Sequence, residues 1–310
     1  MDYVKTVRKD EIMKKLKRIL LTLIIILLVG CTKADKEKKI NIISTNFPGY
    51  DFARAITKND EDVNVRMLVK PGTDIHHYEI TPKEIINIQK SDMFIYNGGD
   101  SDEWVKNILK KIDPKNTKII KIMDLTDLKL KETENEKEYD EHVWTSPVKS
   151  IEIIEKLKEE IIDIKNNELY TKNTNEYINE LKKIDNSIKE IVSNSKRKEI
   201  IFADRFPLKY FTDEYKLKYY AAFPGCSEQT EASSKTVSFL IDKVRKDKVP
   251  VIFHLELSNK KLAKEISKET GTKILEFNSA HNIANEDFKK GITYVDIMKK
   301  NIKVIKEALN

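Results

Sequence analysis

Short apolar runs alternate with amphipathic stretches along most of the chain. The run from Ile40 to Ile43 leads into turn-forming residues at 44–49, a pattern typical of a buried strand followed by a turn and a helix. Similar strand-like runs occur at 63–69, 93–96, 118–122, 199–203, 217–222, 250–253 and 273–277, and helical segments occur at 82–90, 102–111, 235–246 and 259–269. Because strands that alternate with helices form parallel sheets, the expected fold class is α/β.

The segment from Pro147 to about Ser195 interrupts this alternation, since it contains no strand-like run. Its second half places apolar residues at helical spacing between lysines and glutamates, which predicts a long amphipathic helix over 169–196. The pattern favours two lobes, each with a roughly four-stranded parallel sheet, joined by this one rigid helix. The predicted lobes cover 40–168 and 197–310, and the alternative is one continuous eight-stranded sheet with a long crossover.

The N-terminus has the pattern of a secretory signal. Basic residues precede an apolar run from Ile19 to Val29, which is shorter than the roughly 20 apolar residues that a transmembrane helix needs. Its end, Leu28-Val29-Gly30-Cys31, resembles a bacterial lipobox, so we expect a signal peptide over 1–30, a lipid on Cys31 and a tether over 31–39. The alternative is a membrane anchor with an incidental cysteine. Translation can start at Met1 or at Met13.

Such a signal predicts an extracytoplasmic protein, lipid-anchored to the outer face of the bacterial cell membrane. The 310 residues carry a formal net charge of +6, and removal of the basic leader brings the mature chain closer to zero. This mixed surface gives no case for nucleic-acid binding. Cys226 is the one other cysteine, and because a lipidated Cys31 cannot pair with it, no disulfide is expected.

The chain uses five histidines, and most of them follow predicted strands. Loops after strands hold His76, His77, His142 and His281, whereas His254 lies inside a strand-like run and is expected to be a core or edge residue. Ligands of open parallel sheets bind where such loops meet, at the carboxyl ends of strands. Imidazoles that converge from two lobes suit a transition metal such as zinc. The acidic run at 132–138 is expected to be a solvated loop.

Several motifs, in order along nearly the whole mature chain, match one family. These are "NFPGYDFARAI" at 46–56, "PGTDIHHYEITPKEI" at 71–85, "DMFIYNGG" at 92–99, "DEWV" at 102–105, "DEHVWTSP" at 140–147 and "ETGTKIL" at 269–275. They resemble the zinc- and manganese-binding lipoproteins that feed bacterial ABC importers. The resemblance implies two α/β lobes bridged by one long helix, with a divalent metal ion between them and a membrane permease of an ABC importer as partner. We expect a monomer.

The resemblance also implies a ligand set. The family's first ligand falls on His76 and its second on His142. The third position falls on Ala203, which cannot bind metal, so the neighbouring Asp204 is the substitute; the fourth falls on Asn278, with His281 three residues on. The expected ligands are therefore His76, His142, His281 and Asp204, with Glu231, His77, Glu79 and Asn278 as alternative or supporting residues.

Three imidazoles and one carboxylate favour Zn²⁺ over Mn²⁺, which prefers more oxygen donors. A manganese- or iron-specific homologue is the nearest alternative. A secreted zinc-dependent hydrolase is a more distant one, since a catalytic zinc keeps three protein ligands and an open position, but no His-Glu-x-x-His motif is present. An adhesin that also binds metal is the third, with 132–141 as its first candidate surface. We expect a binding protein and not an enzyme.

Overall fold

The computed structural model describes residues 39–73, 78–127, 129–131, 139–225 and 232–310, together with Met13, Lys15 and Lys17. The chain divides into a first unit, Met1–Lys39, and a second unit, Ile40–Asn310, which holds both sheets. The predicted lipobox, including Cys31, lies outside the described residues, as do His76, His77 and Glu231. Within the described part of the chain, no helix combines the length and apolar character that crossing a bilayer requires.

The first lobe is a four-stranded sheet with helices between its strands. Its elements are β1 (Ile40–Ser44), α1 (Phe47–Ile56), β2 (Val63–Met67), α2 (Pro82–Gln89), β3 (Met93–Tyr96), α3 (Val105–Leu109), β4 (Lys118–Lys121) and α4 (Pro147–Ile162). The strand order is β2-β1-β3-β4, and every pairing is parallel. Short 3-10 helices, Asp100–Asp102 and Val143–Thr145, lie in the loops after β3 and β4.

The second lobe repeats this arrangement. It contains β5 (Glu199–Phe202), α6 (Lys209–Glu214), β6 (Lys218–Ala221), α7 (Ser234–Asp247), β7 (Val251–Leu255), α8 (Lys261–Thr270), β8 (Lys273–Phe277), α9 (Asn285–Lys289) and α10 (Tyr294–Leu309). The order β6-β5-β7-β8 is again parallel throughout. The predicted α/β class with two four-stranded sheets is confirmed, and the alternative of one eight-stranded sheet is wrong.

One long helix, α5 (Glu168–Asn194), connects the lobes. Its 27 residues span about 40 Å at the usual rise per residue. Asn167 caps it by accepting a hydrogen bond from the backbone N–H of Leu169 at 3.0 Å. Its buried face, which includes Ile178, Leu181 and Ile188, packs on α4 and α10, so the helix is part of the core and not a loose linker.

The buried carboxylate of Asp51 connects α1 and α10 to this helix. Asp51 of α1 accepts hydrogen bonds from the hydroxyl of Tyr177 in α5 at 2.7 Å and from the backbone N–H of Tyr294 in α10 at 2.8 Å. It also pairs with Arg54 at 2.6 Å. Burial raises the pKa of Asp51, whereas Arg54 and Tyr177 lower it. This network joins elements of both lobes to the linking helix.

The strand histidine has the expected core role. His254 lies in the fully buried strand β7, and its Nδ1 is 2.7 Å from the carbonyl oxygen of Leu255.

Candidate metal centre

Three side chains with metal-binding atoms meet in the protein interior. The donor atoms of Glu141, His142 and His281 all lie within 4.8 Å of one another. The two imidazole rings are 5.1 Å apart between centroids and nearly perpendicular, at 88°. His142 belongs to the loop after β4 and His281 to the loop after β8, which are equivalent edge strands of the two sheets. The structure thus brings together two of the four expected ligands, from different lobes.

Asp140 sets the orientation of His142. One oxygen of this carboxylate, Oδ1, accepts a hydrogen bond from the backbone N–H of His142 at 2.8 Å and lies 3.0 Å from its Nδ1. With the proton on Nδ1, the ring donates to Asp140 and directs Nε2 toward Glu141, whose Oε1 is 3.9 Å away. Carboxylates hold metal-binding histidines in this way, because they fix the tautomer and the ring direction.

Glu141 contributes a carboxylate to the cluster that the sequence did not predict. Its Oε2 accepts hydrogen bonds from the backbone N–H and the hydroxyl of Ser101, at 3.2 and 2.8 Å. Gly99 packs against the same carboxylate with φ of 90°, and a Cβ there would collide with it. Burial raises the pKa of Glu141 to about 7, although His142 lowers it; Asp102 raises it further. The only local signal was its position directly before His142 in "DEHVW".

Trp144 connects the two histidines to the turn after β8. Its indole Nε1 donates a hydrogen bond to the carbonyl oxygen of Ser279 at 2.9 Å. Its ring lies 5.3 Å from that of His142 and 5.1 Å from that of His281. The indole therefore packs beside both imidazoles and excludes water from that side of the centre.

The loop after His281 reaches the first lobe. The side-chain amide of Asn282 donates to the carbonyl oxygens of Lys70 and Thr73, at 3.0 and 2.6 Å. The backbone N–H of Gly72 donates to the carbonyl oxygen of Ile283 at 2.7 Å. The segment that leads to the undescribed residues 74–77 therefore lies against the loop that carries His281.

The other expected site residues that the structure describes lie outside this cluster. Asp204 is outside the three-residue cluster; its carboxylate accepts from the backbone N–H groups of Arg205 and Leu255, at 2.9 and 3.1 Å. Asn278 uses Oδ1 to accept from the backbone N–H of Ala280 at 2.8 Å. Glu79 is exposed. The second ring nitrogen of His142 lies beside Asp140, which the sequence did not suggest as a supporting residue.

This donor set fits a divalent transition metal. Zinc binds imidazole nitrogen and carboxylate oxygen at about 2.0–2.2 Å, which places tetrahedral ligand atoms roughly 3.4 Å apart. The observed separations are at most 4.8 Å, so side-chain rotations that move these atoms by about 1 Å would bring all three within bonding distance of one zinc ion. Two nitrogens and one oxygen leave at least one coordination position for a further donor.

Comparison with known proteins identifies a matching family. The sequence model of the family described as "ZnuA: Zinc-uptake complex component A periplasmic" matches residues 42–308. The zinc-binding lipoprotein AdcA of Streptococcus pneumoniae strain R6 is 31% identical over 312 residues, covering 96% of this chain and 61% of AdcA. The high-affinity zinc uptake system protein ZnuA of Bacillus subtilis is 29% identical, with 89% of each chain covered. The chain thus spans about 61% of the length of AdcA.

Solved structures share the same architecture. The Zn(II)-bound ZnuA-like domain of S. pneumoniae AdcA is 31% identical, with a TM-score of 0.74 over 87% of this chain and 99% of that domain. The metal-dependent lipoprotein YcdH of B. subtilis is 29% identical, with a TM-score of 0.76 over 88% of this chain and 100% of YcdH. A mutant of the laminin-binding adhesin Lmb of Streptococcus agalactiae, 21% identical with a TM-score of 0.76 over 87% of this chain and 100% of Lmb, shares the fold.

Proposed function

Because this chain belongs to the ZnuA family of zinc-uptake components, we propose that it is a solute-binding lipoprotein. In this proposal it captures a divalent transition metal, zinc in the first place, and delivers the ion to the membrane permease of an ABC importer. One observation carries the proposal: Glu141, His142 and His281 place metal-binding atoms within 4.8 Å of one another, and the two histidines come from different lobes. Zn(II) is bound by the similar ZnuA-like domain of AdcA, which supports zinc as the ion.

The chemistry of the donors also favours zinc. Two imidazole nitrogens with one carboxylate oxygen suit a borderline ion in a four-coordinate shell, whereas manganese prefers more oxygen donors. Metal binding requires neutral imidazole, whose ordinary pKa is about 6.5, so affinity should fall as the pH drops below that value.

His76 is the proposed further ligand. Two observations support this proposal. The first ligand of the family motif falls on His76 in the sequence, and Thr73, three residues earlier, accepts a hydrogen bond from Asn282, the residue after His281. Asp204 stays a prediction as a ligand. Glu141 is the alternative source of the carboxylate, because it lies beside the two histidines. The lipid anchor on Cys31 would hold the protein at the outer face of the membrane, near its permease.

Metal titration of four variants tests the proposal. We expect purified protein to bind one zinc ion, and His142→Ala and His281→Ala to lose most of the affinity. Glu141→Gln should weaken binding, and Asp204→Asn should leave it near the wild-type value if Glu141 supplies the carboxylate. Elemental analysis of protein purified without chelator gives the ion it carries. Unchanged affinity in both histidine variants would refute the site.

A zinc hydrolase would behave differently. It would need a bound water beside the metal and would turn over ester or peptide substrates. We expect the zinc-loaded protein to show no such turnover, and hydrolysis that disappears in His142→Ala would replace the transport proposal with an enzymatic one.

A further inference from the structure

A tight turn follows β8 and ends on His281. Ala280, in its centre, is fully buried and has φ of 59°, a left-handed conformation that L-residues rarely adopt. That conformation is unfavourable for a residue with a Cβ, because the Cβ comes too close to the following carbonyl oxygen. Other contacts must therefore hold the turn in this shape.

The carboxylate of Glu256 makes those contacts. Glu256 directly follows β7, the neighbour of β8 in the sheet. Its Oε2 accepts a hydrogen bond from the backbone N–H of Ser279 at 2.7 Å. Its Oε1 accepts from the hydroxyl of Ser279 at 2.5 Å and from the backbone N–H of His281 at 3.3 Å. These two N–H groups flank the left-handed residue, and backbone N–H groups arranged in this way form a concave anion site.

Trp144 binds the carbonyl oxygen of the same residue, Ser279. While Glu256 binds the N–H of Ser279, the indole of Trp144 binds its carbonyl oxygen at 2.9 Å. The backbone before His281 is thus fixed from the second lobe by a carboxylate and from the first lobe by an indole. The position of the His281 ring follows from this backbone.

We propose that Glu256 is the positioning residue for His281. Its carboxylate, bound to the N–H groups of Ser279 and His281, holds the turn in the conformation that presents the imidazole to the metal. Glu256 acts through the backbone and is not itself a ligand. This inference rests on the proposed function, since His281 must be a ligand for its position to affect metal affinity.

The first test compares zinc binding in Glu256→Gln and in a matched control. Glutamine keeps one acceptor oxygen but replaces the other by an NH₂ group, so it cannot accept from the N–H groups of Ser279 and His281 through two oxygens at once. Partners that orient metal ligands change affinity by about 10–100-fold when they are replaced, and we expect a loss in that range. Glu276→Gln, on the exposed side of β8, makes the same charge change and should stay within about 2-fold.

The number of ligands separates positioning from ligation. X-ray absorption spectra of the zinc-loaded proteins should show the same coordination number in Glu256→Gln as in the wild type. Loss of one oxygen from the shell would make Glu256 a ligand and overturn the proposal, and so would wild-type affinity in this variant. Glu256→Asp keeps the charge with a shorter side chain, and we expect its affinity to lie between those of the wild type and Glu256→Gln.

A second test needs no metal. Hydrogen exchange of the peptide that covers 278–282 should be faster in metal-free Glu256→Gln than in the wild type and in Glu276→Gln. Equal exchange in all three would refute the role of Glu256 in holding the turn. If the wild type binds no zinc, the proposed function fails, whereas the exchange rates still decide whether Glu256 shapes this turn.

Discussion

The carboxylate of Asp140 lies 3.0 Å from Nδ1 of His142 and also accepts the backbone N–H of the same residue. Asp140 is buried and is two residues from the histidine. One short segment therefore provides both the metal-binding imidazole and the carboxylate that orients it. This contact favours the tautomer of His142 that carries its proton on Nδ1 before any ion binds. Such preorganisation increases affinity, because less side-chain freedom is lost on binding.

We expect Asp140→Asn to weaken zinc binding by about 10–100-fold, the usual effect of changing a group that orients a histidine ligand. The amide still has one acceptor oxygen, but it lacks the negative charge that favours a proton on Nδ1. Competition with a chromophoric chelator measures the affinity. Asp127→Asn is the control, since the side chain of Asp127 is 97% exposed and the charge change is the same. Equal affinity of the two variants would contradict the orienting role.

Gly99 and Glu141 give a second prediction. A Cβ at Gly99 would lie 2.6 Å from Cβ of Glu141, so Gly99→Ala must displace the carboxylate or the loop. We expect a lower free energy of unfolding and weaker metal binding. Denaturant unfolding and zinc titration measure the two effects.

Gly291→Ala separates collision from backbone strain in this experiment. Gly291 has a similar left-handed φ of 71°, but in the part of the chain that the structure describes no atom lies within 4 Å of the Cβ that it would gain. This control should lose roughly 1–2 kcal/mol from the backbone alone and keep full zinc affinity. If Gly99→Ala costs no more than Gly291→Ala and binds zinc normally, Gly99 has no special role beside Glu141.

The hydroxyl of Tyr177 provides a test of how the lobes are connected. Tyr177→Phe removes one hydrogen bond to the buried carboxylate of Asp51 and keeps the ring. Hydrogen bonds to charged groups contribute about 1.5–3 kcal/mol, so the free energy of unfolding should fall by an amount in this range. Zinc affinity should not change, because Asp51 is outside the donor cluster. An unchanged unfolding free energy would show that Arg54 and the N–H of Tyr294 satisfy Asp51 alone.

The sequence predicted the architecture because the central strands of both sheets are short and mostly buried. Ile42 and Ile95 lie in neighbouring central strands and are fully buried, so their apolar runs stand out between amphipathic segments. The same reasoning located His142 and His281, since each follows the last strand of its sheet. A local hydrophobic pattern is sufficient to predict a strand or helix, because the residues of that element alone carry the pattern.

The carboxylate position could not be predicted in the same way. The direction of Glu141 is set by Ser101, a residue 40 positions earlier in the chain. The carboxylate of Asp204 bonds to the backbone N–H of Leu255, 51 positions later. Both contacts depend on how separate loops meet, and no periodicity in the sequence indicates them. Proximity to a family motif therefore suggested Asp204, whereas tertiary packing places Glu141 beside the histidines.

Asp102 gives a prediction on pH dependence in the metal-free protein. Its Oδ2 accepts hydrogen bonds from the backbone N–H groups of Asn97 and Gly98, at 2.5 and 3.2 Å, and from the hydroxyl of Thr45 at 3.2 Å. Its Oδ1 is buried and has no hydrogen-bond partner among the described residues. Burial raises the pKa of Asp102 from 3.8 to about 6, although the three hydrogen bonds lower it. The folded state therefore holds this proton more tightly than the unfolded state does.

A raised carboxyl pKa stabilises the fold at low pH, and that contribution is lost as the pH rises from about 4 to about 6. Asp102→Asn cannot ionise, and one amide oxygen can still accept the hydrogen bonds that reach Oδ2. We expect the unfolding free energy of the wild type to fall relative to that of Asp102→Asn across this range, by on the order of 3 kcal/mol. Urea unfolding in chelator at several pH values measures the difference. A difference that stays constant from pH 4 to pH 7 would mean that Asp102 keeps an ordinary pKa, because its hydrogen bonds then offset the cost of burial.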